Sequence, residues 1–453
     1  MVDLLSFVVA ISVLVAAHEF GHYWVARRLG FKVLRFSIGF GPPLLVRRGG
    51  APDHIEYWLS AIPLGGYVKM LDEREAEVPS HERHRAFNQR AIWQRIAVLL
   101  AGPAFNFLFA IVAAWVMFIA GVTGLKPLIG AVAPDTVAAR AGLVPGDEIV
   151  AVGGEPTATW ENATVRVFDE LLADARIDLT VRGTTGQTRE VLLDVAGREA
   201  ELTEPAALYE GLGITPGPVL PSVIGEVTAG MPAEAAGFKP GDEVVSAGDE
   251  PIERWEQWLM FVRAHPNETV NVRVVRDGGE LTLSLAIGSV VEGGQTIGRI
   301  GAGPQPLPAE VVQNLRAEQR YGVLEAVPRA LGQTWEMTAL TVRMLTRMVT
   351  GDVSLKNMSG PLSIADYAGD SAQAGLAASL GFLALVSISL GIFNLLPIPL
   401  LDGGQIVYQI AEWLKGAPLS ERAMVFGQQL GLLLLIALMS FAFYNDLSRM
   451  FGS

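Results

Sequence analysis

Two histidines four residues apart with a glutamate beside the first, His18-Glu19-Phe20-Gly21-His22, are the residue types and the spacing that a zinc hydrolase uses. On a helix, positions i and i+4 share a face, so both imidazoles reach one metal ion while Glu19 stands next to the ion's open position. Zinc takes neutral nitrogen or anionic ligands in a tetrahedron with one site kept for water, and a neighbouring carboxylate takes the proton from that water. The setting is unusual, because Leu4 to Ala17 holds nothing more polar than serine. The 23 residues from Leu4 to Ala26 cover roughly 34 Å at about 1.5 Å per residue, enough for a bilayer core. Ionisable groups in hydrocarbon are costly and mark function, which favours a metal site over a chance pentapeptide. A cleaved signal peptide is the other reading, since Val15-Ala16-Ala17 resembles a cleavage site, but Met1-Val2-Asp3 lacks the basic start it needs.

A third ligand has to come from elsewhere. The 453 residues include no cysteine, so thiolate sites and disulfides are excluded, and ligands must come from the six histidines and the carboxylates. His54, His81, His84 and His265 sit in polar context. The candidate is Asp402, in Asn394-Leu395-Leu396-Pro397-Ile398-Pro399-Leu400-Leu401-Asp402-Gly403-Gly404. Pro397 and Pro399 stop a helix and free its carbonyls, a break tolerated at membrane depth only where it lines protein or a wet cavity. Asp402 then lies at about the depth of His18 and His22, and the three can converge. The bland alternative is that Asp-Gly-Gly is a simple turn.

The elements that must position these groups are mostly membrane helices. Half of the residues are hydrophobic and the net charge is -13, with a mean hydropathy of +0.36, so charge and apolar surface are segregated along the chain. Four stretches are predicted to span: a first helix within 1–30, then 96–121, 377–404 with the proline motif, and 427–446. Segment 27–95 carries twelve Lys or Arg, which predicts a cytoplasmic location by the positive-inside rule and puts both termini outside, with the site near the cytoplasmic side. Residues 127–320 hold 29 Asp or Glu against 14 Lys or Arg, a difference of -15. That balance argues against nucleic acid and anionic lipid surfaces as partners of this region.

Segment 31–95 reads as a membrane-associated β segment. Phe36 to Gly41, including Gly39-Phe40-Gly41, and Ile55 to Met70 are aromatic and β-branched with glycine punctuation, which predicts short strands and tight turns. An edge strand next to a buried hydrolytic site could hold an extended substrate; an ordinary small sheet is the alternative. Within the acidic region, Ala141-Gly142-Leu143-Val144-Pro145-Gly146-Asp147-Glu148-Ile149-Val150 recurs as Ala236-Gly237-Phe238-Lys239-Pro240-Gly241-Asp242-Glu243-Val244-Val245, and Trp160 matches Trp255, all at an offset of 95. Two copies of one domain follow, 126–215 and 220–305. The A-G-x-x-x-G-D-x-[IV] pattern resembles bacterial PDZ domains, which bind peptides or chain termini by strand addition; a rigid cap over the membrane part would read the same way. In 320–360, Trp335 to Val349 has the spacing of an amphipathic helix, lying at an interface or packed on the repeat pair.

H-E-x-x-H in a first span together with N-x-x-P-x-P-x-x-D-G in a later one resembles the site-2 protease family of intramembrane zinc metalloproteases. The likeness covers nearly the whole chain, including Gly39-Phe40-Gly41, Pro63-Leu64-Gly65-Gly66-Tyr67 and Asn357-Met358-Ser359-Gly360-Pro361. It implies a multi-pass α-helical protein of the bacterial inner membrane, with four transmembrane helices, a membrane-associated hairpin and two tandem periplasmic PDZ domains. By the same resemblance His18, His22 and Asp402 bind zinc, Glu19 is the general base, and Asn394, Gly39, Phe40, Gly41, Pro397 and Pro399 contact substrate. The substrates implied are single-span membrane proteins of the anti-sigma factor type, and signal-peptide remnants. The family pattern has a second asparagine about one turn before Asn394, where this chain has Ser389. The competing reading is an inactive, membrane-anchored PDZ scaffold with a structural zinc site.

Overall fold

The computed structural model describes residues 2–50, 53–204, 207–292 and 295–451. They form two compact units, Met1–Val122 with Gln319–Ser453, and Thr123–Glu318.

Four helices of the first unit are long and apolar enough to cross a membrane. The first, Val2–Arg28, has Asp3 in its first turn and Arg27 and Arg28 in its last, charges that complement the helix dipole at both ends. The second runs Ile92–Ala120 and tolerates Pro103 inside it. The third, Leu376–Leu395, ends where Pro397 and Pro399 forbid continuation, so residues 396–401 leave the expected 377–404 span as a turn. The fourth is Glu421–Phe451, longer at both ends than the 427–446 expected from hydropathy.

Segment 31–95 contains two strands, Val33–Arg48, which outruns the expected Phe36 to Gly41, and Glu56–Met70, which fills the expected second stretch as one element. Each bends back, so that Ser37 stands opposite both Trp58 and Tyr67. The bends fall at glycines: Gly39, Gly41 and Gly65 have φ of +89°, +84° and +144°, a region L side chains avoid. Between the spans lie helices that hydropathy alone did not separate from loops, Pro361–Ala374 and Asp402–Lys415. The amphipathic helix is Ala326–Thr350. Part of its apolar face is spent on protein, since Met337 and Leu345 pack with Ala110 and Ala113 of the second span and Ile388 and Ile392 of the third, while Trp335, Val342 and Val349 stay exposed. Its approach is pinned by Trp115 Nε1, which donates to the Val323 carbonyl at 2.8 Å.

The second unit repeats one topology. The first copy has a four-stranded antiparallel sheet in the order 155–156, 148–152, 176–182, 188–194, and the second has 250–251, 243–247, 269–276, 279–286 in the same order. Each copy has its own apolar core. Gly142 and Gly237, at φ +82° and +84°, follow the short helices as left-handed caps at matching positions of the repeat. The aspartates that follow are fully buried. Asp147 accepts from the Val144 amide and pairs with Arg189 at 2.5 Å, while Asp242 accepts from the Lys239 amide and pairs with Arg276 at 2.6 Å. The arginine comes from a different strand in each copy, so the repeat preserves the buried acid and supplies its partner anew.

Candidate metal centre

His18, Glu19 and His22 are buried on one side of the first helix. Their Cα spacing alone does not aim the rings; the segment opposite does. Asp402 is the first residue of helix Asp402–Lys415, where the unpaired amides of a helix start favour a carboxylate. The turn before it is tightly made. Leu400 has φ +94°, and a Cβ on Gly403 would overlap the carbonyls of Leu395 and Leu396, as one on Gly404 would overlap that of Ile398. The two glycines after Asp402 are therefore required by the close crossing of chain and helix.

The result is a triangle of donor atoms. His18 Nε2 and His22 Nε2 are 3.2 Å apart, and Asp402 Oδ2 is 3.3 Å from the first and 3.4 Å from the second. A tetrahedral ion with bonds of about 2.0 Å needs ligand edges of about 3.3 Å. Asp402 Oδ2 is also buried with no hydrogen-bond partner, which is costly unless an ion meets it. Two imidazoles and one carboxylate leave a fourth tetrahedral position open, so the donor set fits zinc in a catalytic arrangement.

Around the triangle stands the second span, which the sequence reading did not connect with it. His22 Nδ1 donates to the Val98 carbonyl at 2.7 Å, and His18 Nδ1 lies 3.1 Å from Asn106 Nδ2. Between these residues is Gly102, where a Cβ would overlap His22 Nε2 and sit 2.7 Å from His18 Cε1. Gly21 is packed against the Ala101 carbonyl, which lets the two helices approach this closely. A backbone carbonyl and a glycine carry no chemical signature in a sequence. Asn106 does, as an amide inside an apolar span, and its cost in hydrocarbon was the available signal.

Glu19 lies against the hairpin: a Cβ on Gly66 would come within 2.9 Å of Glu19 Cγ. Gly39 and Gly41 flank Phe40, which is 43% exposed and stacks on Tyr67 with ring centroids 6.4 Å apart. Asn394 is half-buried at the end of the third span. Pro397 and Pro399 follow on the segment that delivers Asp402, with the Pro399 carbonyl against Gly431. The structure thus brings His18, His22 and Asp402 to one point. Gly39, Phe40, Gly41, Asn394, Pro397 and Pro399 occupy the flanking elements and make no hydrogen bond to the three donors. Ser389 is half-buried, and its neighbour Ser387 donates to the Asn106 carbonyl at 2.8 Å.

A His-His-carboxylate triangle beside a glutamate, set among helices long enough to cross a bilayer, defines a membrane metallohydrolase. The model of Peptidase family M50 matches residues 6–438, and the chain belongs to that family. It is similar to the regulator of sigma-E protease RseP of Escherichia coli (strain K12), 42% identical over 454 residues and 99% of each chain. It is also similar to the protease RseP of Yersinia pestis, 41% identical over 99% of each chain. A Vibrio cholerae protein provisionally named a zinc metalloprotease is 40% identical over 99% of each. The chain is accordingly a zinc metalloprotease of the inner membrane.

Proposed function

We propose that this protease cuts the transmembrane segment of single-span proteins, with His18, His22 and Asp402 as the zinc ligands and Glu19 as the general base. The observation that carries the reading is the donor triangle of 3.2, 3.3 and 3.4 Å, next to a buried carboxylate on the same helix. Zinc bound there supplies a lowered pKa for water and polarisation of the scissile carbonyl. Glu19 takes the proton of the attacking water and passes it to the departing amine. The substrate helix has to unwind first, because its amides are shielded by their own hydrogen bonds. The bent hairpin around Gly39, Phe40 and Gly41 offers backbone partners to the unwound strand. Asn394, whose amide makes no hydrogen bond to another described residue, offers a side-chain partner from the other flank, beside the helix-breaking Pro397 and Pro399.

Charge supports a topology with segment 27–95 on the cytoplasmic side, the site near that face, and both termini in the periplasm. The two sheet units of 126–215 and 220–305 are then periplasmic PDZ domains that bind peptide termini or exclude proteins still carrying bulky outer domains. Relatives named for regulation of sigma-E favour substrates of the anti-sigma factor type, with signal-peptide remnants as a second class. An inactive scaffold with a structural zinc has no use for a carboxylate beside an open coordination position, and proteases among the relatives do not favour it.

The test is Glu19→Gln in purified full-length protein, with zinc content and cleavage of a single-span reporter measured together. Zinc is expected to stay at the wild-type level while cleavage falls by about 10²- to 10⁴-fold. Cleavage at the wild-type rate would refute the assignment of Glu19.

A further inference from the structure

The second span supplies no ligand, yet Val98, Gly102 and Asn106 recur every four residues along it and face the histidines. The Val98 carbonyl can only accept, so His22 carries its proton on Nδ1 and turns the Nε2 lone pair toward the triangle. His18 must do likewise for its Nε2 to bind an ion. Its Nδ1 then holds the proton and needs an acceptor. The group at that position is the side-chain amide of Asn106, which is fully buried, with Nδ2 at 3.1 Å and an Oδ1 that has no hydrogen-bond partner. Donor would face donor in that arrangement. A half-turn about the Asn106 Cβ–Cγ bond exchanges the two ends of the amide and sets Oδ1 against the His18 Nδ1–H.

We propose that Asn106 is the positioning residue of His18: its side-chain oxygen accepts the Nδ1 proton, fixes the tautomer and plane of the ring, and thereby sets the zinc affinity of the site. The inference rests on the zinc reading of the triangle and assigns the His18 partner within it. The amide is held from behind, because Ser387 Oγ donates to the Asn106 backbone carbonyl at 2.8 Å and ties the residue to the third span. Histidine ligands in zinc sites commonly donate their second nitrogen to a carboxylate or carbonyl, and loss of that partner lowers metal affinity 10- to 100-fold.

Zinc affinity is measured by chelator competition on full-length wild type, Asn106→Leu and Asn106→Asp in detergent, with the visible spectrum of the cobalt-substituted proteins recorded alongside. Asn106→Leu is expected to lose about 10- to 100-fold in affinity and to shift the cobalt bands. Asn106→Asp, which keeps an acceptor oxygen at the cost of a buried charge, is expected to recover most of that affinity. Should the leucine variant fail to fold, Asn106→Ala takes its place with the same expectation. Wild-type affinity in a variant without an acceptor would overturn the proposal, as would equal losses in the leucine and aspartate variants. A wild type that binds no zinc would sink the reading of the triangle itself, whereas a zinc-binding wild type with an indifferent Asn106 leaves that reading standing.

Discussion

The second and fourth spans are both long apolar helices, and they are used in opposite ways. In the most apolar stretch of each, 44% of the second is buried inside the protein against 6% of the fourth. The second meets both helices of the donor triangle: Arg95 forms a two-point ion pair with Glu412 on the helix of Asp402, the Val98 carbonyl holds His22, and Asn106 lies on His18. The fourth is attached near its ends. Gly427 and Gly431 pack on Tyr408 and the Pro399 carbonyl, and Asn445, Asp446 and Arg449 hold segment 355–363. Span burial here follows the number of polar atoms that must be oriented, because in lipid an apolar face gains little from being covered by protein. The metal centre should therefore be sensitive to single atoms on the second span and indifferent to the C-terminal attachment of the fourth.

The largest effect expected is on the centre itself. Asp402→Ala removes one vertex of the triangle, and since outer partners alone are worth 10- to 100-fold, a ligand should cost more than about 100-fold in zinc affinity. Zinc retained at wild-type affinity would break the comparison at its root. Gly102→Ala comes next. Its Cβ has to displace both imidazoles, so a loss of about 10-fold or more in zinc affinity is expected, with about 1–3 kcal/mol of overpacking in the unfolding midpoint. Gly332→Ala, in helix Ala326–Thr350, is the matched control: its Cβ meets nothing within 4 Å, so the change should leave zinc binding alone and stabilise by up to about 1 kcal/mol.

These sensitivities divide along what a sequence can express. His18, Glu19, His22 and Asp402 were legible because residue type and spacing, or helix-breaking prolines, announce them. The four spans and the 95-residue repeat were legible for the same reason, since each is a pattern within the chain. Val98 acts through a carbonyl that any residue would provide, and Gly102 through an absent side chain whose neighbours are 80 and 84 residues away, so neither leaves a local trace. The bent hairpin needed the register of Ser37 with two partners, which is a property of pairing. Helix Ala326–Thr350 showed its apolar face plainly, but lipid, the repeat pair and other spans all satisfy such a face, and only packing shows that Met337 and Leu345 go to the spans while Trp335 and Val342 stay exposed.

The smallest loss of stability should come from the fourth span, and it sharpens the contrast. The Asp446 carboxylate accepts from the amides of Gly360 at 2.9 Å, Leu362 at 2.9 Å and Ser363 at 3.3 Å, and from Ser363 Oγ at 2.6 Å. It thus caps helix Pro361–Ala374 from a residue more than eighty positions away, as a side-chain cap would from within. Loss of such a cap costs about 0.5–2 kcal/mol, which here loosens one attachment of the fourth span without touching the triangle. Asp446→Ala should therefore keep wild-type zinc content and open segment 351–360 more often. Because the chain has no cysteine, Val353→Cys, at a buried position in that segment, gives a clean thiol to follow. Its labelling rate should rise by about 2- to 30-fold when Asp446→Ala is added, the fold-change to which a cap loss of about 0.5–2 kcal/mol corresponds. An unchanged rate would mean that the clasp is idle, and a fall in zinc content would mean that the fourth span orients the centre after all.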